Sequence, residues 1–234
     1  MSFFELILIL FLFSTFYNFV LLLVCVNNKS PVIFLKFFFL SILFSAWLAL
    51  AVQQYNDIAY LSTRQVLGNL LISLWCFMSL YSNKNLKLAL FSTFLNRFKN
   101  AVINKENKKI ILMIFSISSI QLISFSPLIS LNFLSGPSSL YWYEFIYLII
   151  CILGLSINKK FVDRLKAYEI IKAKEFIKYA THSDYFGNLI FFLGLFLLSM
   201  GTTGGSWSII GPIAILLLMH KVIIPEERER VTSK

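Results

Sequence analysis

Charge is what this sequence has least of. Only 14% of its 234 residues are Asp, Glu, Lys or Arg, where a soluble domain carries about a quarter. No water-facing globular domain of any size is therefore expected. Histidine is scarcer still, with His182 and His220 alone. A multi-histidine metal centre of the membrane di-iron kind lacks its ligands, and no metal is expected. The three cysteines, Cys25, Cys76 and Cys151, each fall inside an apolar stretch with no short spacing between them. That excludes a disulfide framework or a zinc knuckle and leaves them as small packing residues. The nine glycines form no loop between a strand and a helix, which excludes a Rossmann fingerprint and a P-loop. Acids are few as well, 11 against 21 bases, for a net charge of +10. The bases sit in loops between apolar runs, so they mark membrane orientation rather than nucleic acid.

What fills the chain instead is hydrocarbon. Apolar residues make up 58% of it and 25 are Phe. A helix needs about 20 apolar residues to cross the hydrocarbon core. On that rule seven spans are predicted, at 3–26, 31–53, 64–82, 110–133, 141–158, 185–200 and 206–224. The expected fold class is all-α, a polytopic transmembrane bundle of about seven helices, with residues 1–234 as one integral membrane domain. The first segment reads as a retained helix, because only Glu5 stands near its start and its run exceeds the roughly 7–15 apolar residues of a signal core. The sixth span is short and is tied to the seventh by Gly201-Thr202-Thr203-Gly204-Gly205-Ser206, a turn signal that predicts a hairpin.

Loop charge sets the orientation. The loop from Asn83 to Lys109 carries seven bases against Glu106, and that from Lys159 to Thr181 carries seven against Asp163, Glu169 and Glu175. Ser135 to Leu140 and the Gly201 turn carry no charge. The positive-inside rule places both basic loops and the C-terminal tail in the cytoplasm, and seven spans put the N-terminus outside. With no organelle-targeting segment, a bacterial inner membrane is the expected location. In the second basic loop, Phe161, Leu165, Tyr168, Ile171, Phe176 and Tyr179 recur at spacings of three to five among lysines. That pattern suits a helix lying on the membrane surface, or a solvated basic face that fixes topology.

Polar residues at or within spans are costly and mark candidate sites. The densest group is Lys178-Tyr179-Ala180-Thr181-His182-Ser183-Asp184-Tyr185-Phe186-Gly187-Asn188, at the mouth of the sixth span. A second group, Pro225-Glu226-Glu227-Arg228-Glu229-Arg230, follows the seventh. The hairpin would return both to one membrane face. Gln121, in mid-span, reads as helix–helix glue or as a substrate contact.

The stretch around His182 resembles the R-H-P-N-Y-F-G-E motif of the steroid 5-alpha-reductase-like membrane enzymes, with His182, Tyr185, Phe186 and Gly187 in place. Upstream, Arg64 to Tyr81 with Trp75 is similar to that family's third span. Gln121 with Pro127 is similar to its Q-x5-P segment, and Gly154 followed by Asp163 to its G-x-x-E-x3-A-D stretch. Thr181, Ser183, Asp184 and Asn188 stand where the family has Arg, Pro, Asn and Glu, and Asn158 where it has a Glu.

The resemblance implies a cofactor-binding region over 159–234, NADPH as hydride donor and a double bond in a hydrophobic, sterol-like lipid as acceptor. It implies cofactor contacts from Lys178, His182, Asp184, Asn188, Glu226 and Glu227, with Lys174 nearby. Tyr185 would be the catalytic proton donor or a further cofactor contact. A similar His-x-x-Tyr-x-Gly element occurs in isoprenylcysteine carboxyl methyltransferases, whose C-terminal Glu pair is similar to Glu226-Glu227. S-adenosylmethionine is thus the alternative cofactor, and a non-enzymatic lipid- or partner-binding member the third reading.

Overall fold

The computed structural model describes residues 3–28, 31–56, 62–81, 84–133, 140–168 and 183–218, and among them every regular element is helical. The helices are α1 (Phe3–Asn28), α2 (Pro31–Asn56), α3 (Thr63–Tyr81), α4 (Lys84–Ile103), α5 (Asn107–Ser124), α6 (Ser126–Phe133), α7 (Glu144–Tyr168), α8 (Ser183–Ser199) and, after a 3₁₀ turn over Gly205–Ile209, α9 (Ile210–Leu218). Four of the predicted spans coincide with α1, α2, α3 and α8 to within three residues at each end.

The others differ for identifiable reasons. The span at 110–133 is broken at Phe125 into α5 and α6. Pro127 has no N–H to give back and disfavours helical geometry in the residue before it. The span at 141–158 begins at Glu144 and continues to Tyr168, well into the segment read as a basic loop. The last span opens as a 3₁₀ turn before α9, with Pro212 in the first turn of α9, where a missing N–H costs nothing. The largest departure is the basic loop at 83–109, which is mostly helix α4. Its bases hid an apolar stripe: Leu95, Phe98 and Ala101 are buried at a spacing of three, while Asn96, Arg97 and Asn100 are exposed. Lys105, at φ 55°, ends α4 in the left-handed region. The Glu106 and Lys105 N–H groups donate back to the Ala101 and Val102 carbonyls, a Schellman stop.

Among the described residues one stretch, Ile7–Val26, is long and apolar enough to cross a membrane, or two if α5 and α6 count as one broken span. Phe37–Gln53, Glu144–Ile157, Phe186–Ser199 and Gly205–Leu217 are apolar but shorter. The contacts group the chain into two compact units, Met1–Tyr60 with Ile72–Phe125, and Leu61–Leu71 with Ser126–Lys234.

In the first unit, Leu21, Leu22 and Cys25 of α1 pack with Leu95 and Phe98 of α4 and Ile114 of α5. A polar node lies within it. Asn18 Nδ2 donates to Gln121 Oε1 and to Ser118 Oγ, both at 3.1 Å, and Gln121 Nε2 donates to Ser41 Oγ at 3.1 Å. Ser14 Oγ also donates to Gln121 Oε1. Gln121 therefore joins α1, α2 and α5, the role of helix–helix glue. Meanwhile Phe16 and Phe44 are 69% and 62% exposed.

In the second unit, α7 and α8 run side by side at backbone contact. A Cβ on Gly154 would stand 2.5 Å from the Phe191 nitrogen and 2.7 Å from the Gly187 carbonyl oxygen. One on Gly194 would stand 2.6 Å from Cys151 Sγ and 3.1 Å from the Tyr147 carbonyl oxygen. Only small residues allow such an approach. The turn after α8 is as tight as the hairpin expectation requires. Gly204, at φ 81°, takes the left-handed conformation, and Ser199 Oγ and Ser208 Oγ lie 2.6 Å apart across it.

Candidate functional site

The motif residues divide between what the structure describes and what it does not. Lys174, Lys178, Thr181, His182, Glu226 and Glu227 lie outside the described residues. Asp184 and Tyr185 occupy the first turn of α8, and Asn188 follows one turn later, partly buried. Phe186 is exposed and Gly187 is buried.

Gly187 positions this turn. Its carbonyl is packed against Gly154, and Phe191 one turn on completes the contact. The two contact points, Gly154 with Gly187 and Phe191 and then Cys151 with Gly194, run in opposite directions along the two helices, so α7 and α8 are antiparallel. Continuing that register by about one turn of 3.6 residues brings the backbone of Asn158 level with Asp184 and Tyr185. Gly154 and the described part of the motif, Asp184 to Asn188, thus meet where α8 begins, beside the middle of α7.

The opposite end of the second unit holds a site that no sequence motif marks. Arg64 Nε donates to Glu144 Oε1 at 2.6 Å and Arg64 Nη2 to Glu144 Oε2 at 2.7 Å, with side chains 1% and 0% exposed. The Tyr141 N–H donates to Glu144 Oε2 at 2.7 Å, and the guanidinium lies 5.7 Å from the Tyr141 ring centre. Gly201 closes over the pair. A Cβ there would collide with Glu144 Oε1 and stand 2.8 Å from Arg64 Nε. Beside it, Gln65 Nε2 donates to the Asn132 carbonyl at 3.0 Å, and Asn69 Nδ2 to Asn132 Oδ1 at 2.6 Å. Ser130 Oγ and Thr202 Oγ1 are within 3.3 Å. The beginnings of α3 and α7 and the ends of α6 and α8 are therefore cross-linked by polar groups. A fork-to-fork pair with its carboxylate further hydrogen-bonded is a locked structural element, with every described partner satisfied. The signal available in sequence was two opposite charges, each at the head of a predicted span, with no charge in the loop before Glu144 and only Asp57 in the loop before Arg64.

Among the described residues, fold and site together define a helical protein in which polar nodes are buried and much of the large apolar surface is exposed. The chain belongs to the DUF1295 family, described as a protein of unknown function, whose model matches residues 41–234. The match covers both the Gly154 stretch and the His182 motif. No curated protein and no solved structure matches the chain.

Proposed function

We propose that the chain is a multi-pass membrane reductase of the steroid 5-alpha-reductase-like type, using NADPH to saturate a double bond in a hydrophobic, carbonyl-conjugated lipid. The observation that carries this reading is the seam at Gly154 and Gly187. Two segments that separately resemble that family meet there at backbone contact and set the first turn of α8 beside the middle of α7. The family match supports it, since DUF1295 is grouped with the steroid 5-alpha-reductase-like proteins.

Support for the membrane comes from the distribution of polarity. Asn18, Ser41 and Gln121 are buried near the middles of three predicted spans, while Phe16, Phe44 and Leu112 face outward. A soluble protein arranges these the other way round. The proposed topology has the N-terminus outside, the C-terminus in the cytoplasm and seven crossings, in a bacterial inner membrane.

NADPH, when bound, supplies the hydride for the electron-poor carbon of the conjugated bond. The π electrons then move to the carbonyl oxygen as an enolate, and the neighbouring carbon takes a proton. In this chain Tyr185 would supply that proton. Lys178 and His182 would hold phosphate oxygens. Glu226 and Glu227 would accept hydrogen bonds from ribose or adenine, and Asp184 in the first turn of α8 and Asn188 one turn later would add further cofactor contacts. Lateral access from the bilayer would bring the lipid while water stays out.

The test is a titration of the detergent-solubilised full chain with NADPH and S-adenosylmethionine side by side. Saturable NADPH binding is expected, weakened about tenfold or more by His182→Ala or Lys178→Ala, the loss of one charge-assisted hydrogen bond. Saturable S-adenosylmethionine binding without a response to NADPH would establish the methyltransferase alternative that Glu226-Glu227 suits. Silence with both would leave a lipid- or partner-binding role.

A further inference from the structure

The segment that leads into α7 is an unusual surface. Tyr141, Trp142 and Tyr143 are consecutive and all exposed, Trp142 to 78%. They are not loose. The Tyr141 and Tyr143 rings stack at 5.3 Å with 12° between their planes, Trp142 meets Tyr143 edge-on at 6.0 Å, and Tyr143 meets Tyr147 at 6.0 Å. The Tyr141 backbone is tied to Glu144, and its ring lies beside Arg64, so the cluster is fixed to the buried ion pair. Beyond it the exposed face of α7 is wholly apolar for several turns, through Phe145, Ile146, Ile149, Ile152 and Leu153.

Amphipathic rings followed by a bare hydrocarbon face fit one environment, the boundary between lipid headgroups and acyl chains. Tyr and Trp place their rings among the chains there and their polar tips in the headgroup layer. The length of α7 agrees. From Glu144 to Lys159, the first basic residue on the helix, fifteen residues rise about 22 Å at 1.5 Å each. With the aromatic turn ahead of it, that is close to the roughly 30 Å of a hydrocarbon core.

We infer that Tyr141, Trp142 and Tyr143 form an anchor in the phospholipid interface that fixes the depth of the α7–α8 pair, with the Arg64–Glu144 pair just inside it and the Tyr185 turn at the opposite boundary. This rests on the membrane reading above but not on the reductase chemistry. The antiparallel register makes it specific: Tyr185 is level with Asn158, so holding Trp142 at one interface sets the Tyr185 turn near the other. The anchor is thus a device for presenting the motif at the water boundary.

The experiment uses the full chain with Trp142 as sole tryptophan (Trp47→Phe, Trp75→Phe, Trp207→Phe), reconstituted in phosphatidylcholine vesicles with lipids brominated either near the ester carbonyls or near the chain ends. Trp142 fluorescence is expected to be quenched several-fold more by the shallow bromines. A companion keeps Trp47, which lies in the apolar part of α2, as sole tryptophan, and its quenching by acyl-chain bromines reports on the membrane reading itself. If Trp47 is quenched by lipid and Trp142 responds only to aqueous iodide, or more strongly to the deep bromines, the anchor is overturned and the membrane reading stands. If neither responds to any brominated lipid, the membrane reading falls and the anchor with it. Should the triple replacement fail to fold, Trp142→Cys carrying an environment-sensitive fluorophore gives the same depth measurement, since the three native cysteines are buried.

Discussion

Glu144→Ala is expected to destabilise the second unit by about 3–5 kcal/mol, the cost of breaking a buried ion pair from one side. The guanidinium of Arg64 would keep its burial and lose both hydrogen bonds of its carboxylate fork. The Tyr141 N–H would lose its acceptor as well. The pair itself need not be strongly favourable, because two charges lose hydration on burial and their attraction repays only part of it. The double replacement Arg64→Met with Glu144→Leu should therefore be milder than either single change, and the cycle should show a coupling of at least about 1 kcal/mol. Thermal unfolding in a mild detergent measures all three. Single changes costing under about 1 kcal/mol would mean that the pair is hydrated like a surface salt bridge, against the burial described here.

Replacing Gly154 should act at the other end of the same unit. An added Cβ meets the Phe191 nitrogen and the Gly187 carbonyl, which are backbone atoms and cannot rotate away. Gly154→Ala should cost about 1–3 kcal/mol as overpacking, and Gly154→Leu more. Either must push the start of α8 from α7, so NADPH affinity should fall along with stability. Gly68→Ala is the internal control. Its Cβ meets the end of the flexible Leu131 side chain at 2.9 Å, which can shift at small cost, so stability and affinity should change little. If Gly154→Ala binds NADPH as the native chain does, the seam does not position the motif.

Parts of this arrangement were readable from one sequence and parts were not, and the difference is physical. Runs such as Phe3 to Val26 announce their helices because they are apolar on every side. α4 was hidden because its apolar stripe is narrow and its bases lie between, and a rule that counts charge reads such a helix as a loop. The break at Phe125 had its signal in Pro127. The His182 motif was visible as a string of letters, and so was Gly154, but nothing in their spacing says that the two touch. That follows from the register of two helices, set by Gly187, Gly194 and Cys151 together. Arg64 and Glu144 are 80 residues apart, and pairing over that separation leaves no trace in local pattern. Each looked like an ordinary residue at the end of a span. Gln121 was read correctly as a polar group in an apolar helix, but its partners on α1 and α2 appear only in the fold.

Hydride transfer from NADPH to a lipid can be followed directly with an isotope. Membranes containing the full chain would be incubated with NADPH carrying deuterium at the transferable position of the nicotinamide, and the extracted lipids examined by mass spectrometry. A lipid product is expected with one deuterium from the cofactor and one hydrogen from water across a former double bond. Tyr185→Phe should abolish the product while leaving NADPH binding intact, if the phenol supplies the proton. Absence of deuterium from every lipid under conditions where NADPH binds, or appearance instead of methyl label from S-adenosylmethionine, would contradict a reductase.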